Sequence, residues 1–402
     1  MILNRDLHTV RLTVFLDSLG FTIVIPVFPE IVQQLSDQGS ASIFIGLLMT
    51  SYAMAQLIAA PFIGALSDKI GRRPVLVGVL AISVIDYVLS VVATEIWLLF
   101  AARVIAGAAG GTMTVASAYI VDRVTADDRV KQFGFLQAAF SLGFVIGPLI
   151  GGVVGHWHIR GPFVLAAALS ALNLVFAFLF LRDKPPVDRG ASQNPRFFRF
   201  ASNALAPNQA DLARLLIAFA LIQAAKAAAH SAIVLFLQLK FQWSAVATGF
   251  ALTMSAVVVV IAQAVLAGKA VAIVGEIRTM RAGLLLSVMG YCIFAFAGEV
   301  WHIVLAILIW SLGFAAEPAM QGLISRDTDE SRKGEMQGYV ATMNSIGWIA
   351  GPIVGGLAFG LFDELKMANL FGSGAFLLGA VLCIVAMIVI SYDSRSKISS
   401  SF

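Results

Sequence analysis

Gly64-Ala-Leu-Ser-Asp68-Lys-Ile-Gly71-Arg72-Arg73-Pro74 joins two long apolar runs by a turn too short to hold a domain. The turn packs one acid, two glycines and three bases into eleven residues. Runs of membrane length on either side place the chain in a bilayer. The bases say on which face the turn lies, because Lys and Arg collect in cytoplasmic loops.

Composition agrees. Of 402 residues, 59% are hydrophobic and 12% charged, about half the charged share of a soluble domain. A soluble enzyme of this length is excluded. The net charge of +4 is no nucleic-acid signal, since the bases sit in short interhelical loops. Cys292 and Cys383 lie inside apolar runs and read as packing residues. Asp17 within the first apolar run argues against a cleavable signal peptide.

A bilayer core needs about 20 mainly apolar residues per helix. That measure gives twelve spans, near Leu7–Phe28, Phe44–Leu66, Val75–Thr94, Trp97–Tyr119, Phe133–Gly155, Phe163–Leu181, Leu212–Phe236, Ala245–Ala267, Met280–Ala297, Trp301–Leu323, Gln337–Phe359 and Ala368–Ile390. The N-terminus and the loops after even-numbered spans carry Arg5, Lys69, Arg72, Arg73, Arg123, Lys184, Arg332 and most other bases. The opposite face holds only Arg160, Lys240 and Lys366. Both termini are therefore expected in the cytoplasm. The longest loop, rich in proline between Pro185 and Pro207, divides the chain. The expected domains are a six-helix bundle at 1–182, a cytoplasmic linker at 183–211 and a second six-helix bundle at 212–402.

The halves repeat at a constant offset. Ser141-Leu-Gly143-Phe-Val-Ile-Gly147-Pro148-Leu-Ile-Gly151-Gly152 is echoed by Ser345-Ile-Gly347-Trp-Ile-Ala-Gly351-Pro352-Ile-Val-Gly355-Gly356. The same shift puts Gly268 on Gly64 and Gly275 on Gly71, but Ala272 where Asp68 stands. Parallel repeats suit transporters whose halves rock. Glycines four apart let helices approach closely in lipid, and a mid-helix Gly-Pro pair offers a bend.

Charges inside a membrane are costly, about 2.5–3.5 kcal/mol each on insertion scales. Asp17, Asp86, Arg103, Lys226 and Glu317 fall within spans. Arg103 should hold Asp17 or Asp86 ionised, and Lys226 should do the same for Glu317. His230 lies one turn after Lys226. Gln56, Gln223, Gln263, Tyr291, Gln321 and Asn344 offer neutral hydrogen bonds. A buried carboxyl without full compensation can carry a proton, which makes Asp17, Asp86 and Glu317 the proton-coupling candidates. Asp68, Gly71, Arg72 and Arg73 form a candidate conformational latch with Asp122 as the partner acid.

These motifs resemble the major facilitator superfamily. The Gly64–Pro74 turn resembles its cytoplasmic loop signature, Arg103-Val-Ile-Ala-Gly107 its fourth-helix pattern, and Gly143–Gly152 the fifth-helix motif of its drug antiporters. Leu16-Asp17-Ser-Leu-Gly20, Tyr52-Ala-Met-Ala-Gln56, Asp86-Tyr87 and Arg129-Val-Lys-Gln-Phe-Gly134 are similar to the tetracycline/proton antiporters. The resemblance implies an all-α membrane protein of twelve transmembrane helices in two pseudo-symmetric six-helix bundles. It also implies that spans one, four, seven and ten line the cavity. Asp17, Arg103, Lys226 and Glu317 lie on those spans; with His230, Gln321 and the neutral groups Gln56, Tyr291 and Asn344 they are the substrate-binding candidates, and Gly143, Gly147, Pro148, Gly151, Gly351 and Pro352 are the helix-bend motif. One departure concerns cargo: tetracycline antiporters carry an acid in the ninth span, whereas here Gly290 stands about there and Lys226 is added in the seventh.

The expected function is proton-coupled export of an amphipathic drug or metabolite, with a drug other than tetracycline favoured by that departure. Import by symport and lipid flipping are the alternatives. No cofactor, metal or nucleic-acid partner is expected. The partners are a small-molecule substrate, protons and the lipid bilayer, and the expected state is a monomer in a bacterial inner membrane.

Overall fold

The computed structural model describes residues 2–36, 40–182, 210–326, 333–364, 370 and 372–399, and shows no strand among them. The loop residues 183–209, most of the expected linker, lie outside the described residues. The helices are α1 Ile2–Ile23, α2 Phe28–Leu35, α3 Ala41–Ile70, α4 Arg72–Val92, α5 Ile96–Ala108, α6 Thr112–Val121, α7 Ala126–Trp157 and α8 Gly161–Phe180. They continue as α9 Ala210–Phe241, α10 Ala245–Ile261, a π-helical turn Ala262–Leu266, α11 Ala267–Val274, α12 Glu276–Ala295, α13 Val300–Gly313, α14 Ala316–Arg326, α15 Lys333–Glu364 and α16 Gly374–Ser399. Among the described residues ten helical spans, three of them made by α5–α6, α10–α11 and α13–α14 taken together, are long and apolar enough to cross a membrane, eleven if the bent pair α1–α2 is one span. The apolar part of α16, Gly374–Ile390, is shorter. The expected twelfth span starts later than the sequence reading placed it, and its first residues fall outside the described ones.

Three expected spans are interrupted, each for a local reason. The first bends by 47° between Ile23 and Phe28. Pro26 cannot donate a helical hydrogen bond and disfavours helix in the residue before it, and Pro29 then sits in the first turn of α2, where a missing N–H is harmless. The fourth breaks between α5 and α6 at Ala109-Gly110-Gly111. The tenth breaks between α13 and α14 at Phe314-Ala315, with Pro318 in the first turn of α14. The last two breaks occupy equivalent positions of the sequence repeat.

The chain forms two compact units. One gathers α1, α2, α3 from Ser51 onward, α4 to α8, and the first turns of α10 up to Met254. In it α1 packs on α7 and α8, and α4 on α5 and α8. The other gathers Ser42–Thr50, α9, and the chain from Ser255. In it α9 packs on α15 and α16, and α12 on α13 and α16. The pairings correspond one to one, so the sequence repeat is a repeat of packing.

Glycines set the closeness of these contacts. A Cβ on Gly143, Gly147 or Gly151 of α7 would collide with Ser18, Thr22 or Ile23 of α1. In the second unit a Cβ on Gly347 or Gly351 of α15 would come within 2.5 Å of Gln223 or Ala224 of α9. Both long helices run unbroken through their prolines, Pro148 and Pro352. The glycine row of the helix-bend motif is therefore a close-approach surface, and no helix ends at its proline. Away from these seams Ile58, Phe62, Phe178, Ile273 and Ile388 are exposed, as side chains meeting lipid should be.

Candidate functional site

The Gly64–Pro74 stretch is helical up to Ile70 in α3 and from Arg72 in α4, so the turn is Gly71 alone. Gly71 closes α3 and opens α4 with φ +102°, and Gly275 does the same between α11 and α12 with φ +83°. Only glycine takes such φ without strain. Asp68 pairs with Arg72. Arg72 also donates from Nε to Asp122 Oδ2 at 2.9 Å and from Nη1 to Ser67 Oγ at 2.5 Å. Arg73 donates to the Phe178 carbonyl in the last turn of α8 at 2.6 Å. Asp68 therefore meets an arginine, and Gly71, which opens α4, offers that helix no side-chain cap. Each of these contacts lies inside the first unit and ties the ends of α3, α4, α6 and α8 together.

Deeper in the first unit, Arg103 of α5 donates from Nη2 to both carboxylate oxygens of Asp86 on α4, at 2.7 and 2.9 Å. The pair is closed, with side-chain exposures of 8% and 3%. Gly107, one turn after Arg103, has no room for a Cβ against the Tyr52 backbone. That glycine lets α5 lie on α3 and explains the spacing of the fourth-helix motif. Gln56 of α3 donates to the Gly110 carbonyl at 2.8 Å and so satisfies the break between α5 and α6. Asp17 of α1 is half-buried beside the Thr112 hydroxyl, at the first residue of α6. Tyr52 and Tyr87 lie within electrostatic reach of Asp17, Asp86 and Arg103. Among the described residues Asp17 has no ion-pair partner.

The second unit has a polar cluster of its own. Lys226 Nζ of α9 meets Glu317 Oε2 of α14 at 2.7 Å. Gln263 donates to the same oxygen at 3.2 Å, and Gln223 donates to Oε1 at 3.0 Å and to Asn344 Oδ1 at 2.7 Å. The π-helical turn in the eighth span carries Gln263, a local widening of the helix common where a side chain has a specific task. His230 Nδ1 lies 2.9 Å from the Lys226 carbonyl. A carbonyl can only accept, so Nδ1 carries the proton. The His230 ring stands 5.3 Å from Trp310 and 5.6 Å from Trp348. Lys226 Nζ is 4.6 Å from the Phe314 ring centre.

Of the expected substrate residues, Lys226, His230, Glu317 and Asn344 come together here, and Gln321 lies half-buried one turn beyond Glu317. Tyr291 is 1% exposed and packs on Trp310 at 6.0 Å, inside the bundle wall. The sequence does not single out Thr112, it offers Tyr52 only as part of the Tyr52–Gln56 motif, and Trp310 and Trp348 read there as packing or interface residues. Their hydroxyl and ring chemistry is too common in membrane helices to single them out.

Long apolar helices in two equivalent packings, with ion pairs held inside each, define an integral membrane transporter. The sequence model of the Major Facilitator Superfamily matches residues 11–224 and again 215–400. The chain is 31% identical over 398 residues to tetracycline resistance protein class C of Escherichia coli, covering 99% of each. It is 31% identical over 366 residues to multidrug resistance protein 1 of Bacillus subtilis, covering 89% of this chain and 90% of that one. A bacterial homolog of the human lysosomal transporter Spinster superposes with TM-score 0.82 at 17% identity, over 98% of this chain and 97% of that one. The chain belongs to the major facilitator superfamily, and it is a transporter with no enzymatic role.

Proposed function

We propose that this transporter is a proton-coupled antiporter that exports an amphipathic drug or metabolite by alternating access. The observation that carries the reading is Asp17. It is the intramembrane carboxyl with no ion-pair partner among the described residues, whereas Asp86 and Glu317 each have one. A carboxyl in low-dielectric surroundings with no cation to hold it ionised can bind and release a proton in a transport cycle. Relatives named for tetracycline and multidrug resistance support the outward direction.

Tetracycline itself fits poorly. A Cβ on Gly290 of α12, about where those antiporters carry the ninth-span acid, would lie 2.7 Å or less from the Trp310 backbone and Cβ, so that position has no room for a carboxylate. The proton gradient supplies the energy, with no bound cofactor. The two halves, 1–182 and 212–402, work as one monomer in a bacterial inner membrane, with both termini and the 183–211 linker in the cytoplasm. The distribution of bases supports that orientation.

The test is drug transport into proteoliposomes under an imposed pH gradient, against a panel that includes tetracycline. The expected outcome is gradient-driven transport of a drug other than tetracycline, with protons released when that drug is added to the detergent-purified protein. Transport indifferent to the gradient contradicts it.

A further inference from the structure

The Lys226–Glu317 pair is lopsided. Glu317 is held from both oxygens by Gln223 and Gln263 as well as by Lys226. If the ammonium leaves, the carboxylate keeps two amide donors. Lys226 has no such reserve: among the described residues its ammonium meets Glu317 and the face of Phe314. It is also a compact charge on a flexible stem. The pair is not sealed, with side-chain exposures of 13% for Lys226 and 18% for Glu317, against 8% and 3% for Arg103 and Asp86.

An incoming cation would have to compete for a carboxylate already held by three donors. An incoming anion needs only to share an ammonium that has one carboxylate partner among the described residues. One turn along α9 stands His230, tethered through Nδ1 to the Lys226 carbonyl and flanked by two indoles. His230 and Trp348 are half-exposed while Trp310 is buried. An aromatic corner, its His230 and Trp348 rings inclined at 51° with Trp310 buried behind it, thus lies one turn from the ammonium-bearing residue.

From this juxtaposition we infer that the second unit binds the carboxylate of a planar aromatic ligand. The carboxylate takes Lys226 Nζ in place of Glu317, and the ring stacks on Trp348 in the corner that His230 closes. This rests on the export reading and names the chemistry of its cargo.

The test is equilibrium binding to the full detergent-purified chain, read by tryptophan fluorescence. The probes are 2-naphthoate, its neutral carboxamide and 2-naphthylmethylammonium. The carboxylate is expected to bind at least about tenfold tighter than either analogue, or about 1.4 kcal/mol. Lys226→Gln should erase that preference. Glu317→Gln removes the competitor and should tighten carboxylate binding, a gain that general damage to the fold does not produce. Equal binding of the three probes, no binding of the carboxylate, or weaker carboxylate binding in Glu317→Gln overturns the inference. None of these outcomes touches gradient-driven export, which the proteoliposome assay reads separately.

Discussion

Arg103 holds both carboxylate oxygens of Asp86 with a single nitrogen, at 2.7 and 2.9 Å, and both residues are all but closed to solvent. Such a pair contributes little net stability, but removing one partner strands a buried charge at a cost of about 3–5 kcal/mol. Arg103→Leu should therefore lower the unfolding midpoint in detergent strongly. Adding Asp86→Leu should recover most of the loss. A double variant as unstable as the single one would mean that the two residues do not act as a pair.

The signature turn separates a glycine that geometry requires from one that it does not. Gly71 has φ +102°, while Gly64 has open space around its Cβ position. Gly71→Ala should cost about 1–3 kcal/mol through backbone strain. Gly64→Ala should be neutral or slightly stabilising, because alanine favours helix by up to about 1 kcal/mol. Thermal unfolding of the two variants side by side checks the order.

Asp68 and Asp122 share Arg72 but differ in setting. The Asp68 side chain is 66% exposed and that of Asp122 17%. An exposed ion pair is worth about 0–1 kcal/mol, so Asp68→Ala should leave stability nearly unchanged, and Asp122→Ala should lower it more. A conformational task for Asp68 predicts that transport falls in Asp68→Ala while the unfolding midpoint holds. Unchanged transport would reduce the turn to an orientation signal and a hinge.

The glycine rows make opposite predictions along the same helices. Gly147→Ala and Gly351→Ala insert a methyl where Thr22 or the Ala224 carbonyl already stands, and should cost about 1–3 kcal/mol each by overpacking. Gly134 and Gly338, exposed on α7 and α15, meet nothing. Alanine there should stabilise by up to about 1 kcal/mol. Destabilisation at Gly134 equal to that at Gly147 would show that the row is not the contact.

What was legible in the sequence was local or periodic. The turn, the apolar runs, the register of the repeat and the intramembrane charges are all visible in one dimension. The pairing of Lys226 with Glu317 followed from charge alone. Which acid Arg103 would hold did not, because Asp17 and Asp86 were equal candidates. The structure selects Asp86 because α4 and α5 are packed neighbours. The breaks at Gly110 and Ala315 and the π-helical turn at Ala262–Leu266 fall inside spans that read as continuous, since long apolar runs flank all three. Those irregularities place Thr112 beside Asp17, Glu317 in the first turn of α14 and Gln263 on Glu317. In each unit a carboxylate thus lies at the positive end of a half-helix. The carboxylates come from non-equivalent spans, one and ten, so the sequence repeat could not announce it.

The central claim is that Asp17 carries the coupled proton, and Asp17→Asn in proteoliposomes tests it most directly. The asparagine keeps the shape and removes the titrating group. The variant should still exchange drug down its own gradient but should no longer accumulate drug when a pH gradient is imposed. Asp17→Asn vesicles that accumulate drug under a pH gradient as the wild type does would contradict the account.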